Sequence, residues 1–237
     1  HVDHGKTTLI DAMLVQSKVF RENEEIGTLI MDMNPLERER GITILSKNTS
    51  INYGDTKINI IDTPGHADFS GEVERILNMV DGCLLLVDAV DGPMPQTRFV
   101  LKAALENGVK PVVIVNKIDR EERRPDEVVE LIQDLFLDLA VTDDQLDFPV
   151  VFASARDGYA CGDWKNPGTD LSVLFETIVQ EVPPPTFDDS GGFQMLVAAL
   201  DYDNYVGQIC IGRITRGSIE VKQDLALMQQ GETRTGT

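Results

Sequence analysis

His1-Val2-Asp3-His4-Gly5-Lys6-Thr7-Thr8 opens the chain and decides how the rest is read. It carries the last seven positions of the pattern G-x-x-x-x-G-K-[ST] plus one residue. In such a loop Gly5 and its neighbours let successive backbone N–H groups point at phosphates. Lys6 neutralises the β and γ oxygens, and the Thr7 hydroxyl is a hard oxygen ligand for Mg²⁺. Asp3, His4 and Thr8 complete the expected phosphate site, Asp3 serving either the loop itself or a monovalent cation beside it. Residues 9–16 are predicted to form the helix whose N-terminus faces the anion.

Four further segments lie where a guanine-nucleotide switch requires them. Asp62-Thr63-Pro64-Gly65-His66 comes directly after the apolar run 57–61. This puts Asp62 at the carboxyl end of a strand, where open α/β sheets bind ligands. Asp62 can hold Mg²⁺ through a water, and Gly65 can offer its N–H to a γ-phosphate. Asn116-Lys117-Ile118-Asp119 follows a second apolar run, 111–115. A carboxylate at Asp119 accepts hydrogen bonds from the N1–H and exocyclic amine of guanine, which adenine cannot supply. Ser154-Ala155 ends a third run, 150–153, and would add backbone contacts to the base. Arg40-Gly41-Ile42-Thr43-Ile44 lies between the phosphate loop and Asp62, where Thr43 supplies a second hydroxyl for Mg²⁺.

Each segment has a plainer reading when taken alone. Asn-Lys-x-Asp by itself is nearly always an exposed turn, and Pro-Gly is ordinary punctuation after a strand. Their joint order at the ends of predicted strands carries the inference. All three histidines of the chain, His1, His4 and His66, fall inside these phosphate-site motifs.

The segments 1–8, 40–44 and 62–66 together resemble the translational GTPases, in which a His rather than a Gln follows the D-T-P-G turn. Within that superfamily, residues 36–44, 91–98 and 200–207 resemble the TypA/BipA ribosome-associated GTPases, and the likeness runs over nearly the whole chain. The last of the three is the most diagnostic; the first two are shared more loosely with elongation factor G and LepA. The resemblance implies binding of GTP and GDP with Mg²⁺, and hydrolysis with His66 as the catalytic residue. It also implies that apolar residues matching Val2 and Ile42 hold His66 off the water until a ribosome acts. The implied role is a cytoplasmic, ribosome-associated switch in translation or ribosome assembly under stress, working as a monomer without membrane or DNA partners. The alternatives are a LepA-like or elongation-factor-G-like factor, or a non-catalytic GTP-sensing assembly module. Arg38 or Arg40 as an arginine finger is the runner-up catalytic role. Otherwise the charge run through 22–40 reads as a solvated face.

Composition agrees with this reading. The 237 residues are 42% hydrophobic and 26% charged, enough to bury one large core and begin a second. The net charge of −19 is the wrong sign for wrapping nucleic acid by counterion release. The three cysteines are far apart, suggesting neither a disulfide framework nor a zinc ribbon. Apolar runs such as 83–87 are of strand length, too short to span a bilayer.

Apolar runs at 57–61, 83–87, 112–115 and 150–153 alternate with helical patterns at 68–80, 96–107, 125–139 and 171–182. The expectation is an α/β fold, the P-loop NTPase parallel sheet with helices on both faces and its first strand missing. The strand that enters such a loop is normally buried on both faces. The chain as given is therefore expected to be aggregation-prone and to bind GTP poorly. Pro183-Pro184-Pro185 stops the last helix, so the GTP-binding domain is expected at 1–185, a linker at 186–192 and a partial antiparallel β-barrel at 193–237. Barrel strands are predicted at 193–200, 208–214 and 219–228, with a polar loop over 229–237.

Overall fold

Val112, Val113, Ile114 and Val115 are all 0% exposed, which a strand achieves only with neighbours on both edges and helices on both faces. The computed structural model describes residues 3–17, 47–63, 70–186, 188–203, 205–229 and 232–236. The chain divides into two units, His1–Pro184 and Pro185–Thr237. The first contains α1 (Lys6–Gln16), β1 (Lys47–Tyr53), β2 (Thr56–Asp62), α2 (Ser70–Leu77), β3 (Gly82–Asp88) and α3 (Pro95–Glu106). It continues with β4 (Lys110–Asn116), α4 (Pro125–Leu139), β5 (Val150–Ser154), β6 (Tyr159–Cys161) and α5 (Ser172–Glu181).

The main sheet has the order β3-β4-β5-β6. β3, β4 and β5 run parallel, as expected, but β6 is an antiparallel edge strand, so the sheet is mixed. The cause is local: Gly158, at φ 73, closes a tight turn in which its N–H reaches the Ser154 carbonyl at 2.8 Å. A turn that short can only return the chain antiparallel, because a parallel neighbour needs a long crossover. β2 departs from the all-parallel expectation too. It pairs antiparallel with β1 in a separate two-stranded sheet, with Tyr53 opposite Thr56 across a turn that uses Gly54 at φ 57.

Side chains that alternate along β3 and β4 divide between two cores. Leu86 and Ile114 face α1 and α5, packing with Leu9, Met13, Leu174 and Ile178. Leu85, Val87, Val113 and Val115 face α3 and α4, packing with Leu101, Leu105, Ile132 and Phe136. Helices thus cover both faces. Each fully buried side chain of this size contributes about 1.5–3 kcal/mol. α4 spans the expected range; Pro125 starts its first turn, where no N–H is needed, and Asp126 and Glu127 face the positive helix end. Cys83 packs partly buried against the α2–α3 cluster, and burial pushes its thiol up to about 12, so it is an inert apolar group. Among the described residues no helix is long and apolar enough to cross a membrane.

The second unit contains β7 (Gln194–Asp203), β8 (Gly207–Arg216), β9 (Leu225–Gln229) and β10 (Glu232–Gly236), in two antiparallel pairs. Gly212 is required by close approach, since a β-carbon there would lie 2.0 Å from the Leu196 carbonyl oxygen. Two expectations are corrected. The strand predicted over 219–228 is confined to β9, because Lys222 at φ 69 turns the chain before it. The polar tail predicted as a loop contributes β10, which pairs with β9 residue for residue. The stretch expected as a linker, 186–192, is tied to the second unit, where Asp188 bridges to Arg216.

Candidate nucleotide site

The carboxyl ends of β2, β3, β4 and β5 and the amino end of α1 bring the motifs together. Gly5 caps α1 in the left-handed region at φ 88, and the first helical bond runs from the Leu9 N–H to the Gly5 carbonyl at 2.9 Å. The N–H groups of Lys6, Thr7 and Thr8 therefore lie in the first turn, where no intrahelical acceptor is available and anions bind. Asp3 is also left-handed, at φ 63, a conformation that costs a non-glycine residue energy and clusters at functional loops. His4 is buried at 1% exposure, and its Nδ1 lies 3.2 Å from the Leu86 carbonyl, which anchors the loop to β3.

At the phosphate end, Thr7 Oγ1 donates to Asp62 Oδ2 at 2.9 Å. A hydroxyl beside a buried carboxylate is a hard-oxygen pair, the donor chemistry that Mg²⁺ takes together with phosphate oxygens. Burial pulls the Lys6 ammonium below the ordinary lysine range, against the opposing pull of Asp62 and Asp3. A buried cation at a helix amino end is poised to meet negative charge.

At the base end, Asn116 holds two loops at once. Its Nδ2 donates to the His4 carbonyl at 2.9 Å, and its Oδ1 accepts the Ala155 N–H at 3.0 Å. Ser154 Oγ lies 2.8 Å from Asp119 Oδ1 and 2.9 Å from Asp157 Oδ2. Its single proton serves one carboxylate at a time. Arg156, largely exposed, reaches Asp119 Oδ2 at 3.2 Å. Lys117, left-handed at φ 66, directs its ammonium to Asp88 Oδ2 at 2.7 Å. Thr43, Gly65 and His66, with Val2, Arg38, Arg40 and Ile42, lie outside the described residues.

Two participants were not singled out from the sequence. Asp88 ends the apolar run 83–87 just as Asp62 and Asn116 end theirs, and that shared position was the available signal. Arg156 carried no signal, because its part depends on the turn after β5. A cleft of about 400 Å³ lined by Gln16, Tyr53, Thr169 and Phe175 lies at the opposite end of α1. An 11-residue helix, about 16 Å long, separates it from the phosphate loop.

Comparison with known proteins bears on the family and the fold. A family profile described as the elongation factor Tu GTP binding domain matches residues 1–184. The large ribosomal subunit assembly factor BipA of Bacillus subtilis is 57% identical over 229 residues, covering 97% of this chain and 37% of that protein. BipA of a Synechocystis strain is 56% identical over 230 residues, covering 97% of this chain and 38% of its own. The chain therefore spans less than two fifths of these relatives' length. Among solved structures, translation elongation factor SelB from Methanococcus maripaludis, in complex with the GTP analogue GppNHp, aligns with a TM-score of 0.71 at 20% identity. The alignment covers 99% of this chain and 44% of that one. A bacterial selenocysteine-specific elongation factor aligns with a TM-score of 0.66 at 24% identity, over 94% and 34% of the two chains. These two likenesses concern the fold alone. The chain belongs to the family of the elongation factor Tu GTP binding domain, the translational GTPases, and along nearly its full length it resembles the BipA factors.

Proposed function

We propose that this chain is the nucleotide switch of a ribosome-associated GTPase of the BipA kind, which binds GTP and GDP with Mg²⁺ and hydrolyses GTP in response to a ribosomal particle. The observation that carries the reading is the double hydrogen bond of Asn116. One side chain joins the phosphate loop at His4 to the base-reading turn at Ala155, a frame on which a nucleotide would meet both loops at once.

Hydrolysis needs little covalent help from the protein, so the residues act by position and charge. A water attacks the γ-phosphorus, the bond to the β–γ bridging oxygen breaks, and the water's proton leaves with the phosphate. Lys6 and the first-turn N–H groups of α1 stabilise the negative charge that gathers on the β and γ oxygens. Thr7 and Asp62, with Thr43, are the residues that would hold Mg²⁺, whose chemistry when bound is neutralisation of phosphate charge. His66 orients the water, a role taken from the family resemblance, and Gly65 of the D-T-P-G motif donates to the γ-phosphate. Asp119, steadied by Ser154, reads guanine.

The identity to proteins named for large ribosomal subunit assembly supports an assembly role over a translocase role. The whole protein is proposed to act as a cytoplasmic monomer, with the ribosome as its partner and neither membrane nor DNA contacts. The test is phosphate release from GTP by the full-length protein, alone and with purified large ribosomal subunits. Stimulation by the particle is expected. Binding without turnover under both conditions would favour a non-catalytic GTP sensor instead.

A further inference from the structure

We propose that Asp88 is the positioning residue of the base-reading loop, setting guanine-nucleotide affinity by fixing Lys117. The inference rests on the nucleotide reading above and adds to it a residue on a different strand, 29 positions before Lys117 in sequence (117 minus 88).

Asp88 ends β3, is 0% exposed, and uses its two carboxylate oxygens differently. Oδ1 accepts the backbone N–H of Val90 at 2.7 Å and, more weakly, of Asp91 at 3.4 Å, which shapes the turn after β3. Oδ2 faces the Lys117 ammonium at 2.7 Å, with the Arg120 guanidinium farther out at 3.8 Å. The turn is itself locked to the base-reading loop. The Ala89 N–H reaches the Asn116 carbonyl at 2.8 Å, and the Arg124 backbone N–H reaches the Ala89 carbonyl at 2.9 Å. Arg124 Nε donates to the Val90 carbonyl at 2.9 Å as well.

Lys117 sits between Asn116 and Asp119 and holds the left-handed conformation that L side chains disfavour. Such a conformation persists only where surrounding contacts over-determine it. A buried, oriented carboxylate at the end of the lysine side chain is such a contact, and the same ion pair fixes the course of the aliphatic stem of Lys117. Burial would push the Asp88 carboxyl up. The Lys117 ammonium and the Val90 and Asp91 amides outweigh it and hold the group below the usual carboxylate range.

The two oxygens separate the positioning role from a purely structural one. Asn at position 88 can still accept the Val90 and Asp91 amides through its carbonyl oxygen, so the turn survives. The charge itself serves Lys117, and Arg120 more distantly. The experiment is a double-mutant cycle of Asp88→Asn and Lys117→Met in the full-length protein, read by titration with fluorescent mant-GDP and by the GDP dissociation rate. Asp88→Asn is expected to weaken binding by about tenfold or more through faster dissociation, with preference for guanosine over xanthosine nucleotide retained, and to add less than about twofold in the Lys117→Met background. Asp88→Glu, which keeps the charge, should recover part of the loss. If the Asn variant does not fold, the same cycle is run with Asp88→Glu and judged by the same coupling. Wild-type affinity for Asp88→Asn, or the same fold loss in both backgrounds, overturns the proposal. Failure of the unmodified protein to bind mant-GDP would instead overturn the nucleotide reading on which it rests.

Discussion

A β-carbon at Gly5 would stand 2.5 Å from Asn116 Nδ2, so the phosphate loop and the base-reading strand meet at a distance that only glycine permits. Asn116 cannot simply withdraw, because the same nitrogen is engaged with the His4 carbonyl. Gly5→Ala adds left-handed strain of about 1–2 kcal/mol to this clash, so GDP affinity should fall by at least about tenfold. Asn116→Ala strands the His4 carbonyl and the Ala155 N–H, at about 1–3 kcal/mol each. Its thermal midpoint should drop by several degrees, read by calorimetry alongside a mant-GDP titration.

Base choice should follow Asp119. Ser154 and Arg156 already hold its carboxylate through hydrogen bonding and charge. A site built to pair with two guanine donors rejects a mismatch by about 10³-fold or more. Asp119→Asn is therefore expected to lose GTP affinity on that scale and to gain xanthosine triphosphate binding. Unchanged GTP affinity would remove Asp119 from the base site.

Catalysis should follow His66. If the side chain acts on water in the transition state and not on bound nucleotide, His66→Ala lowers particle-stimulated kcat by at least about 10²-fold while GTP affinity barely moves. Single-turnover phosphate release measures this. A normal rate would transfer the role to Arg38 or Arg40.

Proton linkage should report on Lys6. Burial lowers its ammonium pKa in the folded protein, so the unfolded chain holds that proton to higher pH. The protein without nucleotide thus gains stability as pH rises through the folded Lys6 pKa towards the ordinary lysine value. Phosphate charge arriving beside Lys6 raises the pKa again. In that alkaline window nucleotide binding should take up a proton, at most about one per site, seen by calorimetry in buffers of different ionisation enthalpy. Lys6→Met should abolish the uptake.

The sequence alone determined the order of the elements and the ends where chemistry lies. Val112 to Val115 form an apolar run too continuous for a half-exposed strand, and Asn116 and Ser154 each end such a run, whereas Asp62 ends the half-exposed, alternating β2. A buried parallel sheet writes that pattern locally, so it can be read without coordinates. β1 could not be read, because Lys47-Asn48-Thr49-Ser50 is polar and only Ile51 is deeply buried. β6 was missed because Tyr159-Ala160-Cys161, though largely buried, is only three residues long, and β10 because its five residues include no apolar one. The pairing of β6 is dictated by the tight turn at Gly158 that precedes it. Which groups touch was decided only by the tertiary structure. Asn116 meets His4 across 112 residues, and Lys117 meets Asp88 across two strands. A hydrogen bond or ion pair of that reach depends on strand register and on which face a side chain takes, and no local spacing encodes either.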